Sequence, residues 1–132
     1  MRIYLCGPIN ACTDSEAKDW REFIKTHHGL TAWAKFIDPM VRDYRGREHE
    51  DYREIVDLDK QDVRSCDVIL VMYTKPSVGT AMETYMAWTL GIPVIVIDRS
   101  GKPISPWMRY HSTAIVSDEA EAVRKLRQWK RT

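Results

Sequence analysis

The chain has 132 residues, a length that suits one compact domain with a sizeable core and is too short for two independent ones. Its 20 lysines and arginines nearly balance 19 aspartates and glutamates, so the whole protein generates no field that would hold nucleic acid or an anionic membrane. A small molecule or a protein partner fits this composition better.

Apolar runs of strand length alternate along the chain with longer segments of helical period. The predicted strands cover residues 3–6, 32–36, 68–72 and 93–97, and the predicted helices cover residues 16–30, 52–65, 78–90 and 120–129. Unbroken apolar strands separated by helices indicate a parallel sheet covered on both faces. We therefore predict an α/β, doubly wound, Rossmann-like or flavodoxin-like domain over residues 1–132, with about five mostly parallel strands.

Ligands of such folds bind beyond the carboxyl ends of the strands, near the point where the strand order reverses. Three loops that contain Gly, Pro or Ser qualify, at residues 7–13, 73–79 and 99–108. A fourth stretch, residues 38–51, is long and highly charged and contains turn signals. It is interpreted as either a lid or a solvated loop.

The clearest local signal for function is the segment KPSVGTAME at residues 75–83, where a buried strand gives way to a helix. Ser77 is a natural helix N-cap. The free backbone N–H groups that follow it, with Gly79 permitting close approach, suit a phosphate. Simple capping by Ser77 is an equally good interpretation. Glu83 lies on the apolar face of the same helix, where a carboxylate is costly unless it is paired or used; contact with solvent or an arginine is the alternative.

A second carboxylate, Asp59, falls on an apolar stripe of the predicted helix 52–65, whose other members are Tyr52, Val56, Val63 and Cys66. Asp59 is therefore a candidate for a perturbed pKa in a cleft, with a buried ion pair as the main alternative. Two inward carboxylates beside a phosphate-binding helix end are typical of glycoside cleavage, in which one attacks and an acid assists departure. Tyr4, at the end of the first strand, is placed to donate a hydrogen bond to the nucleophile or the sugar, or simply to pack.

The cysteines and histidines of the sequence do not indicate a metal site or a disulfide framework. Cys6, Cys12 and Cys66 are odd in number, scattered and without metal-ligand spacing, which favours a reducing cytoplasm over a disulfide framework. The four histidines show no paired ligand spacing. The apolar run at the amino terminus ends too soon for a signal peptide or a membrane span. We expect a cytoplasmic protein without a metal or cofactor.

Taken together, these residues resemble the nucleoside 2-deoxyribosyltransferase superfamily, including its hydrolase branch that acts on nucleoside 5′-monophosphates. The resemblance rests on four matched motifs: IYLCGPI at 3–9, Asp59 with Asp67-Val68-Ile69, PSVGT at 76–80 leading to Glu83, and GIPV at 91–94. It implies that Glu83 is the nucleophile at the anomeric carbon, that Asp59 assists departure of the base, and that Tyr4 positions the carboxylate or sugar. Further substrate contacts are expected from Gly7, Ile9, Asn10, Ser77, Gly79 and Ser105.

The resemblance also separates the branches of the superfamily. Six residues before the nucleophile, transferases that hold a free 5′-hydroxyl typically have aspartate, whereas the monophosphate hydrolases resemble this chain in having serine, here Ser77. Ser105 is similar to a serine that the hydrolases contribute across a dimer interface, which implies a homodimer with shared sites. Hydrolases often carry an arginine and glycines where this chain has 10–12, Asn-Ala-Cys. Arg42, Arg45 or Arg109 then remains to complete the phosphate site.

The leading hypothesis is hydrolysis of the N-glycosidic bond of a (2′-deoxy)nucleoside 5′-monophosphate through a covalent glycosyl-Glu83 intermediate that water resolves. The main alternative is exchange of bases on free deoxynucleosides. The cytokinin-activating phosphoribohydrolases also use a GTxxE helix, but their glycine-rich approach to it is missing here. A non-catalytic nucleotide-sensing module is the remaining alternative, and the joint presence of Tyr4, Asp59 and Glu83 disfavours it.

Overall fold

The computed structural model describes residues 1–130, which form a five-stranded sheet with helices on both faces. The strands are β1 (Arg2–Cys6), β2 (Lys35–Ile37), β3 (Val68–Tyr73), β4 (Val94–Asp98) and β5 (Ala114–Val116). The helices are α1 (Asp14–Thr26), α2 (His28–Thr31), α3 (Tyr52–Ser65), α4 (Val78–Thr89), α5 (Pro106–Tyr110) and α6 (Glu119–Lys130), with a 3₁₀ turn at Pro39–Val41. No helix within these residues is long and apolar enough to cross a membrane.

The strands run parallel in the order β2-β1-β3-β4-β5, which confirms the predicted doubly wound α/β fold. The order reverses between β1 and β3, which pair from Ile3 with Val68 to Cys6 with Val71. A crevice opens beyond the carboxyl ends of two strands whose connections leave on opposite sides of the sheet. This reversal places the loop after β1 beside the loop after β3.

Alternation along β1 divides its side chains between two cores. Ile3 and Leu5 belong to the cluster under α1 and α6, whereas Tyr4 and Cys6 belong to the cluster under α3 and α4. All four are buried. The strand register therefore decides that Tyr4 faces the helices that carry Asp59 and Glu83.

The predicted elements differ from the observed ones mainly near the first helix. Helix 16–30 is divided in two, because His27 is extended (φ −68°, ψ 122°) and its side chain caps α2 by accepting from the Gly29 N–H. The predicted strand 32–36 begins later, at Lys35, because Trp33 N and Ala34 N still bond to the Leu30 carbonyl. The sequence predicts about five strands but locates only four of them. The fifth is β5, which has three residues and is therefore too short to be recognised as an apolar run.

A buried ion pair anchors the segments around the crevice. Arg21 of α1 is 1% exposed, and its guanidinium lies 3.3 Å from the Gly7 carbonyl oxygen and 3.4 Å from that of Leu5. Its Nε lies 3.4 Å from Asp38 Oδ1, while Lys25 Nζ lies 2.7 Å from Asp38 Oδ2. Asp38 also accepts from the Met40 N–H at 2.9 Å. Arg21 thus joins the end of β1 to the start of loop 38–51.

Replacing this arginine tests the anchor. Arg21→Ala should lower the free energy of unfolding by about 3–5 kcal/mol, because it breaks a buried ion pair and frees two carbonyl groups. Lys25→Ala is the matched control; its side chain is partly exposed, so a loss of about 1 kcal/mol is expected. Urea denaturation of both variants measures the difference, and equal losses would contradict the anchoring role of Arg21.

Candidate active site

A cleft lies beyond the carboxyl ends of β1 and β3, where the strand order reverses. It brings together seven of the residues expected from the sequence: Gly7, Ile9, Asn10, Asp59, Ser77, Gly79 and Glu83. Tyr4 lies buried at the sheet end beneath Glu83. Ser105 is elsewhere, at the start of α5, where its Oγ accepts from the Trp107 N–H at 3.3 Å. Loop 38–51 supplies the opposite wall.

Glu83 projects from the second turn of α4 into the cleft. Burial raises the pKa of its carboxyl to about 8; the Tyr4 hydroxyl opposes this shift, the Asp59 charge adds to it, and Arg21 and Cys6 oppose it. The carboxyl is therefore mainly protonated at neutral pH. It is not the solvated or arginine-paired glutamate of the alternative interpretation.

Tyr4 and Glu83 face one another, and both keep unused hydrogen-bonding capacity. Tyr4 Oη and Glu83 Oε2 are buried and, within the described part of the chain, lack a hydrogen bond of ordinary geometry, although the hydroxyl is close enough to lower the pKa of Glu83. Burial also raises the pKa of Tyr4 far above its usual range, so the phenol stays neutral and can donate. Buried polar atoms without partners are costly and are common where a ligand completes the network.

Cys6 is a member of this group that the sequence did not single out. Its buried Sγ lies 4.0 Å from the Thr80 carbonyl oxygen, and the thiol also lowers the pKa of Glu83. Burial raises the pKa of Cys6, which keeps the thiol neutral. Its position follows from the alternation of β1, which turns residues 4 and 6 to the same side.

Asp59 reaches the cleft from α3. The apolar stripe that marked it is buried only at one end: Val63 and Cys66 are buried, whereas Tyr52 and Val56 are 52% and 46% exposed. Burial raises the pKa of Asp59, Arg42 lowers it by charge and hydrogen bond, and Asp62 raises it. Asp59 also forms an ion pair with Arg42. The sequence left an ion pair as the alternative to a position in the cleft, and the structure shows both features together.

Ser77 begins α4 and faces the cleft at the same time. Its Oγ accepts from Thr80 N at 3.5 Å and from Thr80 Oγ1 at 3.1 Å, which confirms the predicted N-cap. The next N–H groups, those of Val78 and Gly79, lie in the first turn, before any intrahelical acceptor. This end of the cleft can receive an anion.

The loop after β1 approaches the cleft through closely packed backbone. A Cβ on Gly7 would lie 3.0 Å from the Trp20 ring and 3.3 Å from the Met72 carbonyl oxygen, so a larger residue would force them apart. Ala11 then turns the chain with φ +57°, in the left-handed region. Both features bring the backbone near Ile9 and Asn10 to the cleft.

Loop 38–51 brings to the cleft Arg42 and Arg45, which the sequence offered as candidates for the phosphate site, and Glu48, which it did not single out. Arg45 is held by Asp43 at 2.8 Å, by Asp14 at 2.5 Å and by the Cys12 carbonyl at 3.0 Å. Glu48 Oε1 is buried and has no hydrogen-bond partner among the described residues, so it can accept one from a ligand. The loop therefore forms a wall tied to the segment after β1. Among the described residues, no cluster of His, Cys, Asp and Glu is placed to hold a metal ion.

Comparison with known proteins agrees with this geometry. The family model of the nucleoside 2-deoxyribosyltransferases matches residues 3–124 and confirms the resemblance inferred from the motifs. A conserved protein from Enterococcus faecalis V583 is similar, with TM-score 0.76, 15% identity and coverage of 96% of this chain and 97% of that one. A 2-deoxyribosyltransferase from Bacillus psychrosaccharolyticus gives TM-score 0.75, 18% identity and coverage of 93% and 90%.

A third similar structure is the CMP N-glycosidase of Clostridium botulinum, with TM-score 0.62, 18% identity and coverage of 96% of this chain and 98% of that one. At these identities the structural likenesses show a shared fold. No curated protein sequence matches the chain.

The raised pKa of Glu83 predicts a pH-dependent cost to stability. Between the ordinary value of 4.5 and the folded value of about 8, the folded protein keeps a proton that the unfolded chain releases, so this contribution to stability falls as pH rises through that window. Glu83→Gln cannot ionise and should become more stable relative to wild type, by roughly 3 kcal/mol between about pH 6 and pH 9.

Urea denaturation at the two pH values measures this change. Asp57→Asn, which removes an exposed carboxylate from α3, is the control and should follow wild type. A constant difference between Glu83→Gln and wild type across this range would contradict the burial of an ionisable Glu83.

Proposed function

Because the chain belongs to a family of enzymes, the nucleoside 2-deoxyribosyltransferases, we propose that it hydrolyses the N-glycosidic bond of a (2′-deoxy)nucleoside 5′-monophosphate. The observation that carries this proposal is the position of Glu83 in one cleft with Asp59 and the amino-terminal end of α4. A nucleophile, a group that assists departure and an anion-binding helix end are thereby within reach of a single small ligand.

The reaction proceeds in two displacements. In the reactive form Glu83 is the carboxylate, and the proton that it has lost lies on Asp59. A Glu83 oxygen attacks C1′, the bond from C1′ to the base nitrogen breaks with its electron pair on the base, and Asp59 gives this proton to the base. Water then attacks C1′, gives a proton to Asp59 and releases Glu83 as a carboxylate. Tyr4, neutral and buried, donates to the carboxylate and orients it.

The two carboxyl groups suit different roles because their surroundings differ. Glu83 meets Tyr4 and Cys6, which are both neutral donors, whereas Asp59 meets a guanidinium. A desolvated carboxylate is a strong nucleophile once it has lost its proton, and Asp59 remains in contact with the more polar wall of the cleft.

The phosphate is assigned to the Ser77 end of the cleft. Ser77 Oγ and the first N–H groups of α4 provide neutral donors at the positive end of a helix dipole, and a carboxylate in place of Ser77 would repel the anion. Gly7, Ile9 and Asn10 line the same cleft and would contact the sugar. Arg42 and Arg45 already form ion pairs with carboxylates, so the phosphate is assigned to the helix end and not to either arginine.

A homodimer completes the proposal. The helices α4 and α5 expose a continuous apolar surface, of which Val78, Met82, Trp107 and Tyr110 are each more than two-thirds exposed, and rings of both helices pack around His111. A second copy seated there would bury this surface and bring Ser105 toward the neighbouring phosphate. Sedimentation of the wild-type protein tests the dimer, and a monomer with full activity would overturn shared sites.

A substrate panel tests the reaction. We expect free base from deoxynucleoside 5′-monophosphates, little from nucleosides, and no exchange when an acceptor base is added, as read by chromatography. Glu83→Gln should abolish release while largely sparing affinity. Base exchange on unphosphorylated deoxynucleosides would show a transferase instead, and binding without turnover by wild type would indicate a sensing module.

Substitution of Ser77 tests the phosphate assignment. Ser77→Asp should lower kcat/KM for monophosphates by about 10- to 100-fold or more, through repulsion and loss of a charge-assisted hydrogen bond, while sparing free nucleosides. Ser77→Ala, which removes the hydroxyl without adding charge, is the matched control and should lose less. Unchanged preference for monophosphates in Ser77→Asp would contradict the assignment.

A further inference from the structure

One nitrogen of Arg42 bridges two carboxylates of α3. Arg42 Nη2 lies 3.2 Å from Asp59 Oδ1 and 2.6 Å from Asp62 Oδ2. Asp59 and Asp62 are three positions apart and therefore share a face of the helix. All three side chains are about one-quarter exposed or less, so these contacts are screened less than those of a surface ion pair. Arg42 is the cation that lies against Asp59 in this cleft.

The backbone that carries Arg42 is fixed by the anchor described above. Arg42 N bonds to the Pro39 carbonyl at 3.0 Å, closing the 3₁₀ turn that Asp38 caps. Asp38 is held by Arg21 and Lys25. Arg42 thus approaches α3 from an anchored turn, and its guanidinium has a second carboxylate, Asp62, to hold it besides Asp59.

We propose that Arg42 is a positioning residue, which directs the Asp59 carboxyl into the cleft, and that Asp62 retains Arg42 when Asp59 turns to the departing base. The proposal rests on the proposed function, in which Asp59 supplies and later recovers a proton. A protonated Asp59 attracts the guanidinium less, and the shorter contact with Asp62 keeps Arg42 in place during that interval. Without Asp62 the guanidinium would pair with Asp59 alone and hold it as an anion.

The groups that face Asp59 fix the direction of the expected effects. Burial raises the pKa of Asp59, Arg42 lowers it and Asp62 raises it. Across the cleft stand the Glu83 carboxyl of α4 and, from β1, the neutral Tyr4 and Cys6, each of which is coupled to the charge of Asp59. Arg42→Ala should therefore raise the pKa of Asp59, and Asp62→Asn should lower it.

Carboxyl-carbon NMR titration of Asp59 tests this without any turnover. Opposite shifts in Arg42→Ala and Asp62→Asn, with wild-type behaviour in Arg53→Ala, support the proposal; Arg53 is an exposed cation of α3 that stacks on Tyr52. Arg42→Lys should retain part of the effect, since one ammonium can still contact a carboxylate, and it serves if Arg42→Ala fails to fold. Shifts in the same direction, or none, would overturn the proposal whether or not the substrate assignment holds.

Steady-state kinetics of the Arg42 variants, on a substrate found with the nucleoside and nucleotide panel, provide a second test besides the NMR titration. Arg42→Ala should lower kcat by roughly 10- to 100-fold with little change in KM, a smaller loss than removal of the proton donor itself. A raised KM with unchanged kcat, or a changed ranking of bases, would show that Arg42 binds phosphate or base, and the positioning role would fall.

Discussion

Burial of one carboxyl without an ion-pair contact among the described residues is the constraint on which the rest of the site depends. Glu83 leaves water on α4, meets the neutral Tyr4 and Cys6 of β1 and keeps an oxygen without a hydrogen bond of ordinary geometry among the described residues. Such a group costs stability. The two cores packed on the parallel sheet offset that cost, and the strand reversal beside β1 makes the buried group accessible from the cleft.

Asp59, the second carboxyl, has more polar surroundings than Glu83. It forms an ion pair with Arg42, which Asp62 also contacts, so its carboxylate form is stabilised by a cation in direct contact. Because the charge of Asp59 raises the proton affinity of Glu83, the titration of the two carboxyls is coupled. The chain of ion pairs from Arg21 through Asp38 to the turn that bears Arg42 makes α1 part of the site, although no side chain of α1 lines the cleft in the described structure.

The sequence predicted what depends on local pattern. The unbroken apolar run of β3 and the helical period of α3 fixed those elements, with α3 at its predicted bounds, and the parallel topology then brought Tyr4, Asp59 and Glu83 together. The break at His27 and the three-residue β5 escaped prediction because a side-chain cap and a short edge strand leave no periodic signal. The contacts that Arg21, Arg42 and Arg45 make with other segments escaped it because they cross 14 to 33 positions of sequence.

The stereochemistry of the product tests the central claim, attack by Glu83, most directly. Double displacement through a glycosyl-Glu83 ester retains the configuration at C1′, whereas direct attack by water inverts it. Cleavage of a β-monophosphate substrate in the presence of methanol, with the methyl glycoside read by NMR, separates the two before the free sugar can equilibrate. The account predicts the β-glycoside from wild type and no product from Glu83→Gln; formation of the α-glycoside would contradict a covalent intermediate.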